Sequence, residues 1–382
     1  MYIQRGLAKI LGSGKKSFLL LGPRQTGKST LISRLKPDLT VNLADETTYL
    51  EFARNPSELK ERLAGRPVRT VFIDEIQRLP SLLNTLQDIL DHQGASLRFF
   101  LTGSSARKLK RGGANLLPGR IHSYHLGPLA SSELDYSLNL LQSLATGTLP
   151  GIYTENSRQE QIKTLRTYAA TYLKEEIQAE ALTRNLEGFS RFLFVAAQGA
   201  GHFLDLNSLA SEAHVPRQSA VRYFEILEDT LVVQRCLPFS SNRKKRLVKH
   251  PKFYFFDTGV LNALLGSFEV SEDRKGLLFE HLFFNQLVAG AAGQDADIGI
   301  YTYRTEHGAE VDFIVENGRK IWALEVKASK NVGRNDLTGL KNFSLFLKKP
   351  CRCMVAYWGD VVRVVDGVTI MPWQQVLKEM GL

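Results

Sequence analysis

Cysteine is scarce in this sequence, and long apolar runs are missing from it. The 382 residues include three cysteines, Cys236, Cys351 and Cys353. They are too few and too unevenly spaced for a disulfide framework or a zinc site, and we expect Cys351 and Cys353 to pack on opposite faces of a strand. No apolar run reaches the length that crosses a bilayer, and the N-terminus lacks the layout of a secretory signal. We therefore expect a cytoplasmic protein with no membrane partner.

Basic residues outnumber acidic ones. Lysine and arginine total 49 against 39 for aspartate and glutamate, which gives a formal net charge of +10. The hydrophobic fraction of 43% and the charged fraction of 23% are typical of a globular protein and exclude a disordered chain. A basic surplus of this size favours polyanionic partners, nucleic acid above all.

The first third of the chain alternates short apolar runs with amphipathic segments. The apolar runs predict strands at 17–21, 39–43, 70–74, 97–102 and 121–126, and residues 80–92 have helical periodicity. This alternation indicates an α/β fold with a parallel sheet, which we assign to a domain at 1–133.

Two further units follow. Residues 134–201 have a helical pattern, and 202–240 predict a helix, a turn, a second helix opening at Pro216, and a β-hairpin. That order is typical of a winged helix-turn-helix, so we expect a middle domain at 134–250. Residues 251–382 predict a helix (272–289), strands (298–304 and 352–358), a helix (336–347), and a hairpin that pairs 310–315 with 320–327 across Asn317-Gly318. These elements predict a third α/β domain.

A glycine-rich motif lies between the first predicted strand and a predicted helix. It reads G-x-x-x-x-G-K-S and matches a phosphate-binding P-loop in full. Backbone N–H groups of such a loop surround phosphates, while Lys28 would contact the β- and γ-phosphates and Ser29 would ligate Mg²⁺. The expected ATP-binding residues are Gly22, Pro23, Arg24, Gln25, Thr26, Gly27, Lys28, Ser29 and Thr30.

Two carboxylates end the apolar run at 70–74. Asp74 is expected to hold the magnesium shell and Glu75 to polarise the attacking water. After the next strand, Thr102 is the predicted γ-phosphate sensor and Ser104 is its alternate; both could instead belong to a serine-rich turn.

Two arginines compete for a role toward a neighbouring subunit. Arg120 is the predicted arginine finger and Arg107 is the alternative, while an ordinary surface position fits either residue equally well. A finger that acts between subunits implies a homo-oligomer.

Four residues of the third unit form a possible second site. Glu280 lies on the predicted helix, Asp312 on one strand of the hairpin, and Glu325 and Lys327 on the other strand. The three acids could hold Mg²⁺ or Mn²⁺, and Lys327 could activate water for a nuclease-type reaction. The alternative is an inactive scaffold in which Glu325 and Lys327 form a simple charge pair.

The predicted winged helix carries the expected nucleic-acid contacts. Its second helix would present polar side chains to base edges or phosphates, and a basic run follows it; winged helices also serve as protein-docking modules. The predicted DNA-binding residues are Arg217, Gln218, Arg222, Arg243, Lys244, Lys245 and Arg246.

Several motifs together resemble a prokaryotic family of AAA-type ATPases whose members end in domain of unknown function 4143. They are GPRQTGKST, VFIDEIQRLP, LTGSSARKL, LPGRIHSYHLGPLASSEL and GAEVDFIVENG…ALEVKAS. The resemblance implies an ASCE-type sheet that uses Lys28, Ser29, Asp74 and Glu75 as above. It also implies a C-terminal domain similar to the PD-(D/E)xK restriction-endonuclease fold. Two features depart from the pattern: no sensor arginine is evident after residue 134, and Val311 replaces the proline of the nuclease motif.

The leading hypothesis is therefore a DNA-associated, Mg²⁺-dependent ATPase whose nucleotide cycle acts on a nuclease-like C-terminal domain. One alternative keeps the ATPase and makes the C-terminal domain a non-cleaving binding or assembly platform. Another is a signalling switch that holds ADP, although such a switch can dispense with a catalytic base such as Glu75.

Overall fold

The computed structural model describes residues 2–65, 67–93, 96–104, 117–172, 185–239, 250–305 and 308–382. Two parts of the predicted sites, Arg107 and the basic run at 243–246, lie outside these ranges.

Parallel strands form the N-terminal sheet, as the alternating pattern predicts. Among the described residues the strand order is β2-β3-β4-β1-β5, and every neighbouring pair is parallel. The strands are Ser17–Leu21 (β1), Leu39–Asn42 (β2), Thr70–Asp74 (β3), Arg98–Gly103 (β4) and Ile121–His125 (β5). The accompanying helices are Leu7–Ser13 (α1), Lys28–Ser33 (α2), Glu46–Arg54 (α3), Glu58–Ala64 (α4) and Leu82–Gln93 (α5). All five predicted strands are confirmed to within one residue at each end.

The sheet is covered on both faces, which explains its near-continuous apolar strands. All five residues of β1 are buried. Leu19 belongs to the cluster on one face together with Val71, whereas Phe18 stacks on Phe100 in the cluster on the other face. Because parallel strands end at a common edge, the residues that follow β1, β3 and β4 meet there.

Helices dominate the middle of the chain, as predicted for 134–201. They are Leu140–Thr146 (α6), Pro150–Tyr153 (α7), Arg158–Thr167 (α8), a π-helical turn at Tyr168–Tyr172, and Leu186–Gln198 (α9). Asn139, Ser157 and Asn185 each accept a backbone N–H at the start of α6, α8 and α9, so side-chain caps set these helix starts.

A helix pair and two antiparallel strands come next. They are Leu206–Glu212 (α10), Arg217–Asp229 (α11), Val233–Pro238 (β6) and Lys252–Phe255 (β7). The partner of β6 therefore lies at 252–255 and not within 202–240, where the sequence predicts a complete hairpin. Leu237 of β6 also pairs with Tyr301, so both strands extend the C-terminal sheet. The sheet consequently runs across position 250, where the sequence analysis sets a domain boundary.

The C-terminal half is built on a mixed sheet. In the described ranges its order is β12-β13-β11-β10-β9-β8-β6-β7. Its remaining strands are Gly299–Arg304 (β8), Glu310–Asn317 (β9), Lys320–Lys327 (β10), Arg352–Tyr357 (β11), Arg363–Val365 (β12) and Val368–Pro372 (β13). The helices are Thr258–Leu265 (α12), Lys275–Gly293 (α13), Thr338–Leu347 (α14) and Trp373–Met380 (α15). Beyond residue 358 the sequence analysis predicts nothing, so β12, β13 and α15 were missed.

Helix α13 is buried around most of its circumference. It packs against β7, β10, α6 and α15, which removes Phe279, Phe283 and Leu287 from solvent. None of the helices in the described part of the chain is long and apolar enough to span a bilayer.

Two local expectations are wrong. The β9–β10 turn is centred on Gly318 and Arg319, because Asn317 pairs with Lys320, and Gly318 takes the positive φ of 58°. The Sγ atoms of Cys351 and Cys353 lie 3.8 Å apart and not on opposite faces. Side chains two positions apart along an extended chain share a face, so the expectation misapplied the strand period.

Candidate functional site

The loop between β1 and α2 has the backbone geometry that phosphate binding requires. Gln25 and Gly27 have φ values of 64° and 88°, so the chain turns back on itself before α2 begins. A Cβ at Gly22 would lie 2.2 Å from the carbonyl oxygen of Leu126, so only glycine fits there. The first glycine of the motif thus permits close packing of the loop on the end of β5.

The Lys28 ammonium lies inside this loop. Its Nζ donates to the carbonyl oxygens of Gly22 (2.8 Å) and Pro23 (2.9 Å), and the residue is only 5% exposed. Thr26 Oγ1 also donates to the Pro23 carbonyl, at 2.9 Å. The loop therefore holds a buried positive charge at the place where the motif predicts phosphate.

A hydrogen-bonded chain links the loop to the ends of β3 and β4. Ser29 Oγ donates to Asp74 Oδ1 at 2.9 Å, and Thr102 Oγ1 donates to the same oxygen. The Thr102 hydroxyl in turn accepts the backbone N–H of Glu75 at 3.0 Å. The predicted pair Ser29 and Asp74 is thus brought together with oxygen atoms of the kind Mg²⁺ prefers. Thr102 orients both acidic residues rather than projecting alone toward a phosphate.

Glu75 is fixed by a residue that the sequence analysis missed. The Gln77 amide Nε2 donates to Glu75 Oε2 and, at 3.1 Å, to Ser104 Oγ, while Gln77 is 6% exposed. Glu75 itself has a positive φ of 58°, which aims its side chain differently from the strand before it. The sequence shows only that Gln77 lies two residues after Glu75; its burial and its contact with Ser104 depend on the fold. The bond from Gln77 also fixes the position of Ser104, the alternate phosphate sensor.

A second residue that was not predicted, Arg5, binds the backbone of the loop and links it to Glu133. Its Nη1 donates to the Thr26 carbonyl at 2.5 Å, and its Nε bonds both carboxylate oxygens of Glu133, the nearer at 2.9 Å. Nη2 donates to the carbonyls of Gly127 and Pro128. The two charged side chains are 5% and 3% exposed, so this is a buried ion pair. Arg5 is far from the motif in sequence, and no local pattern identifies it.

The helical middle of the chain also touches the loop. Tyr168 donates its hydroxyl to the Arg24 carbonyl at 3.3 Å, and the Cβ position of Gly27 lies 4.0 Å from the ring of Pro150. These contacts come from α7 and from the turn after α8, so residues beyond 134 form part of the wall around the loop.

The predicted arginine finger is engaged within its own chain. Arg120 forms a two-pronged ion pair with Asp91 of α5, with N–O distances of 2.5 and 3.0 Å. The competing Arg107 lies outside the described residues.

The predicted C-terminal residues do come together. We name Glu280, Glu310, Asp312 and Glu325 the carboxylate cluster. Glu280 on α13 accepts the Tyr254 hydroxyl at 2.6 Å. Asp312 on β9 accepts the backbone N–H of Val326 at 2.8 Å. Lys327 pairs with Glu325 at 2.9 Å and lies 3.5 Å from Asp336.

Burial dominates the electrostatics of the cluster. It raises the pKa of Asp312 well above its usual range, and the neighbouring Glu325 and Glu280 raise it further. Burial also raises the pKa of Glu325, against the opposing effect of Lys327. For Lys252 of β7, burial lowers the pKa, but Glu280 and Asp312 more than reverse this, so the ammonium stays charged.

The expected metal site at Glu280, Asp312 and Glu325 is not found. Among the residues that the structure describes, no group of three or more His, Cys, Asp or Glu side chains is arranged to hold a metal ion. Two of the expected ligands are bound by lysines instead, Glu280 by Lys252 and Glu325 by Lys327, while Asp312 accepts a backbone N–H. Lys252 is not among the predicted residues, because its strand β7 lies far from β9 and β10 in sequence and meets the carboxylates only in the fold.

The predicted DNA contacts on α11 are exposed. Arg217, Gln218 and Arg222 lie along the first turns of the helix, after Pro216, while its opposite face is buried. The rest of the predicted set, Arg243, Lys244, Lys245 and Arg246, lies outside the described residues.

Comparison with known protein families assigns a class to the N-terminal domain. Residues 14–135 match the family model of an AAA domain, which is the P-loop ATPase class that the loop geometry defines. Residues 138–271 match a domain of unknown function (DUF8612), and residues 275–376 match a second one (DUF4143). The chain thus carries an AAA-type ATPase domain followed by two domains without an assigned activity.

Relatives extend over nearly the whole chain. Two uncharacterised proteins, from Mycobacterium bovis and Mycobacterium tuberculosis, are each 27% identical over 369 residues, covering 94% of this chain and 80% of theirs. Among solved structures, the replication initiator DnaA bound to AMPPCP and single-stranded DNA aligns with 12% identity, over 58% of this chain and 85% of that one, at a TM-score of 0.28. The assignment of the ATPase domain rests on the AAA match and the loop geometry.

Proposed function

We propose that this protein binds ATP with Mg²⁺ at the loop of residues 22–30 and hydrolyses it. The observation that carries the proposal is a pair of hydrogen bonds to Asp74, one from Ser29 and one from Thr102, which join the loop to the ends of β3 and β4. Ser29 and Asp74 would supply oxygen ligands to the metal ion, and Lys28, the residue before Ser29, has its ammonium buried in the loop. A bound Mg²⁺ would neutralise phosphate charge at this point.

Each residue then has one task. Backbone N–H groups of residues 22–30 and the Lys28 ammonium hold the phosphates. Ser29 and Asp74 would hold the metal, which would neutralise phosphate charge, and Glu75 would accept a proton from the attacking water. Thr102 keeps Asp74 and the Glu75 backbone in register, and its direct hydrogen bond to Asp74 supports this role over that of a free phosphate sensor.

Separate measurements of binding and turnover test this proposal. Lys28→Ala should lose ATP affinity, whereas Glu75→Gln should keep affinity and lose turnover, because it removes only the base. Fluorescent-nucleotide titration and phosphate release would be measured for both variants and for an exposed control, Asn84→Ala. Turnover of Glu75→Gln at the wild-type rate would contradict the assigned base.

DNA is the proposed partner. What supports it is the net charge of +10 and the exposed Arg217, Gln218 and Arg222 on the second helix of a helix pair followed by antiparallel strands. We treat this unit, which comprises α10, α11, β6 and β7, as a winged helix that follows the ATPase domain (1–133) and shares its strands with the C-terminal sheet. We expect DNA to stimulate hydrolysis.

Salt-dependent binding tests the DNA proposal. Duplex and single-stranded oligonucleotides would be titrated by fluorescence anisotropy at several salt concentrations, with Arg217→Ala/Arg222→Ala compared to the exposed control Arg54→Ala. The double variant should bind less tightly and show a shallower salt dependence, because it removes two phosphate contacts. If both variants bind DNA with the same affinity and the same salt dependence, the DNA interface does not include Arg217 and Arg222.

For the C-terminal domain, the geometry favours the platform over the nuclease. The lysine contacts of the carboxylate cluster support this choice. Labelled duplex, single-stranded and branched DNA would be incubated with Mn²⁺ and with wild type or Asp312→Ala. We expect no cleavage by either protein; cleavage by wild type alone would restore the nuclease function. A homo-oligomer, with a partner subunit completing the ATP site, is part of the proposal, and light scattering with and without nucleotide tests it.

A further inference from the structure

Lys252 binds two members of the carboxylate cluster, Glu280 and Glu310. We infer that this lysine is the permanent counter-cation of the cluster and takes the place of a divalent metal ion, so that the C-terminal site binds no metal. The inference concerns β7, α13, β9 and β10 and does not depend on ATP hydrolysis.

The position of the ammonium is set by two carboxylates. Lys252 Nζ lies 2.9 Å from Glu280 Oε1 and 3.0 Å from Glu310 Oε1, and its side chain is 7% exposed. These are charge-assisted hydrogen-bond distances, and burial keeps water from competing for the same contacts. One buried cation thus joins α13 to β9.

The backbone around Lys252 fixes where its side chain starts. Lys252 pairs with Cys236 of β6 on one side and forms an isolated bridge with Phe203 on the other. The phenyl ring of Phe203 lies 5.7 Å from Nζ, close enough for a cation–π contact. Rotation of the Lys252 side chain away from the cluster would break both ion pairs and this cation–π contact.

The three acids expected to hold a metal each have a protein donor already. Glu280 Oε1 also accepts the Tyr254 hydroxyl at 2.6 Å. Asp312 accepts the Val326 N–H at 2.8 Å, and Glu325 pairs with Lys327 at 2.9 Å. A divalent ion binds carboxylate oxygens at roughly 2.0–2.6 Å, so on Glu280 it would sit beside a like-charged ammonium. The set of donors therefore fits a lysine and excludes the metal.

The chemical consequence is a cluster that stabilises and does not cleave. A divalent ion would have to hold a phosphate and activate water, and a buried ammonium with two carboxylate partners offers neither an open ligand position nor a metal-bound water. The cluster instead joins β7, the last strand of the C-terminal sheet, to α13 and to β9.

Direct metal binding tests the inference. Mn²⁺ binding would be followed by electron paramagnetic resonance and by calorimetry in the Asp74→Asn protein, in which the ATP site has lost a metal ligand. This protein would be compared with Asp74→Asn/Asp312→Asn. We expect identical titrations without a stoichiometric site. One Mn²⁺ per chain that disappears with Asp312→Asn would overturn the inference.

A gain of function provides the second arm. Lys252→Met removes the charge and keeps the length of the side chain, so in the Asp74→Asn background it should create one Mn²⁺ site, which Asp312→Asn then abolishes. A folded Lys252→Met protein that gains no site would contradict the claim that the lysine excludes the ion. The comparison of proteins with native Lys252 decides the question even if the variant does not fold.

Discussion

Gln77 illustrates how a single buried amide can position a catalytic carboxylate. Its Nε2 donates to both Glu75 and Ser104, so it connects the residue after β3 to the residue after β4. The Gln77 Oε1 atom is buried without a partner within the described residues. A buried unpaired oxygen is costly, so the site retains Gln77 for the bonds made by its nitrogen.

Removal of the Gln77 amide should lower turnover and leave nucleotide binding intact. For Gln77→Ala we expect kcat to fall about 10-fold to 100-fold, a fraction of the roughly 10²- to 10⁴-fold that a positioned base contributes. KM and ADP affinity should stay within about 2-fold, because the amide contacts neither the loop nor Lys28.

Steady-state kinetics, nucleotide titration and thermal unfolding would be measured together, with Asn84→Ala as the control. Ser104→Ala should reproduce part of the loss, since it removes the second bond of the same amide. Parallel losses of kcat, affinity and unfolding temperature would show that Gln77 only supports folding.

Arg5 acts at the same scale on the other side of the loop. It gives five hydrogen bonds to Glu133 and to three backbone carbonyls, one of them that of Thr26. Breaking a buried ion pair leaves one charge without a partner in a low-dielectric environment, which typically costs about 3–5 kcal/mol.

Glu133→Gln should therefore lower the free energy of unfolding by about 3–5 kcal/mol and weaken ATP binding. Urea denaturation and nucleotide titration measure the two effects, and Glu187→Gln, an exposed partner of Arg191, provides a surface ion-pair control with a change of at most about 1 kcal/mol. Equal changes for the two variants would show that the Arg5 pair contributes no more than an exposed one.

At the scale of elements, the junction of β7 and α12 ties the helical region to the C-terminal sheet. Asp257 begins α12 and accepts the N–H groups of Thr148 (2.7 Å) and Val260 (3.1 Å). It is 1% exposed, and burial raises the pKa of this carboxyl from 3.8 to about 6, despite the backbone N–H groups that lower it. Thr148, which Asp257 binds, lies two residues before Pro150 at the start of α7, and Pro150 lies near Gly27 of the proposed ATP site.

This raised pKa makes the stability depend on pH. Between pH 3.8 and about 6 the folded state binds more protons at Asp257 than the unfolded state does. The contribution of Asp257 to the free energy of unfolding should therefore fall as pH rises through this window, by roughly 3 kcal/mol in total, and level off above it.

Urea denaturation at half-unit intervals from pH 4 to 7 measures the slope for wild type, Asp257→Asn and the exposed control Asp360→Asn. The free energy of unfolding of wild type minus that of Asp257→Asn should decrease by this amount across the window, whereas the difference between wild type and the control should stay constant. A decline of equal size in all three proteins would assign the pH dependence to other groups.

The elements that the sequence predicts well are those with a strong local pattern. The apolar run of β1 followed by the glycine loop gives strand, loop and helix in register, and the pair Asp74 and Glu75 follows another such run. The contacts of Arg5, Gln77 and Lys252 depend on which chain segments meet in three dimensions, and no local periodicity records that. The short strands β12 and β13 were not predicted for a different reason. Val361, Val362 and Val364 are exposed, so the apolar residues there do not mark a buried face.

At the scale of the whole molecule, the ATPase domain is joined to the C-terminal half by buried polar contacts. Gln286 of α13 accepts the Ser131 N–H at 2.6 Å and donates to the Leu129 carbonyl at 2.9 Å. Just after the ATPase domain, the partly buried Tyr136 donates to the carbonyl oxygen of Leu382 at 2.9 Å. A cavity of about 820 Å³ lies next to this junction, bounded by Gly22 and by the side chain of Asn285. The residues at the end of the ATPase sheet thus rest on α13.

Gln286→Leu should weaken this junction. The change leaves Ser131 N–H and the Leu129 carbonyl buried without partners, at roughly 1–3 kcal/mol for each group. Calorimetry should show a lower first transition that separates from that of the C-terminal half, while the exposed control Gln294→Leu keeps the wild-type trace. One unshifted transition for Gln286→Leu would place the coupling between the two halves elsewhere.

The central claim is that Lys28, Ser29, Asp74 and Glu75 form one ATP-hydrolysing site. The most direct measurement is phosphate release from ATP by the purified protein in Mg²⁺ buffer, beside nucleotide affinity, for wild type and Glu75→Gln. We expect steady turnover by wild type, and for Glu75→Gln unchanged ATP affinity with turnover reduced by at least about 100-fold. Wild-type protein that neither binds nor hydrolyses ATP in Mg²⁺ would contradict the account.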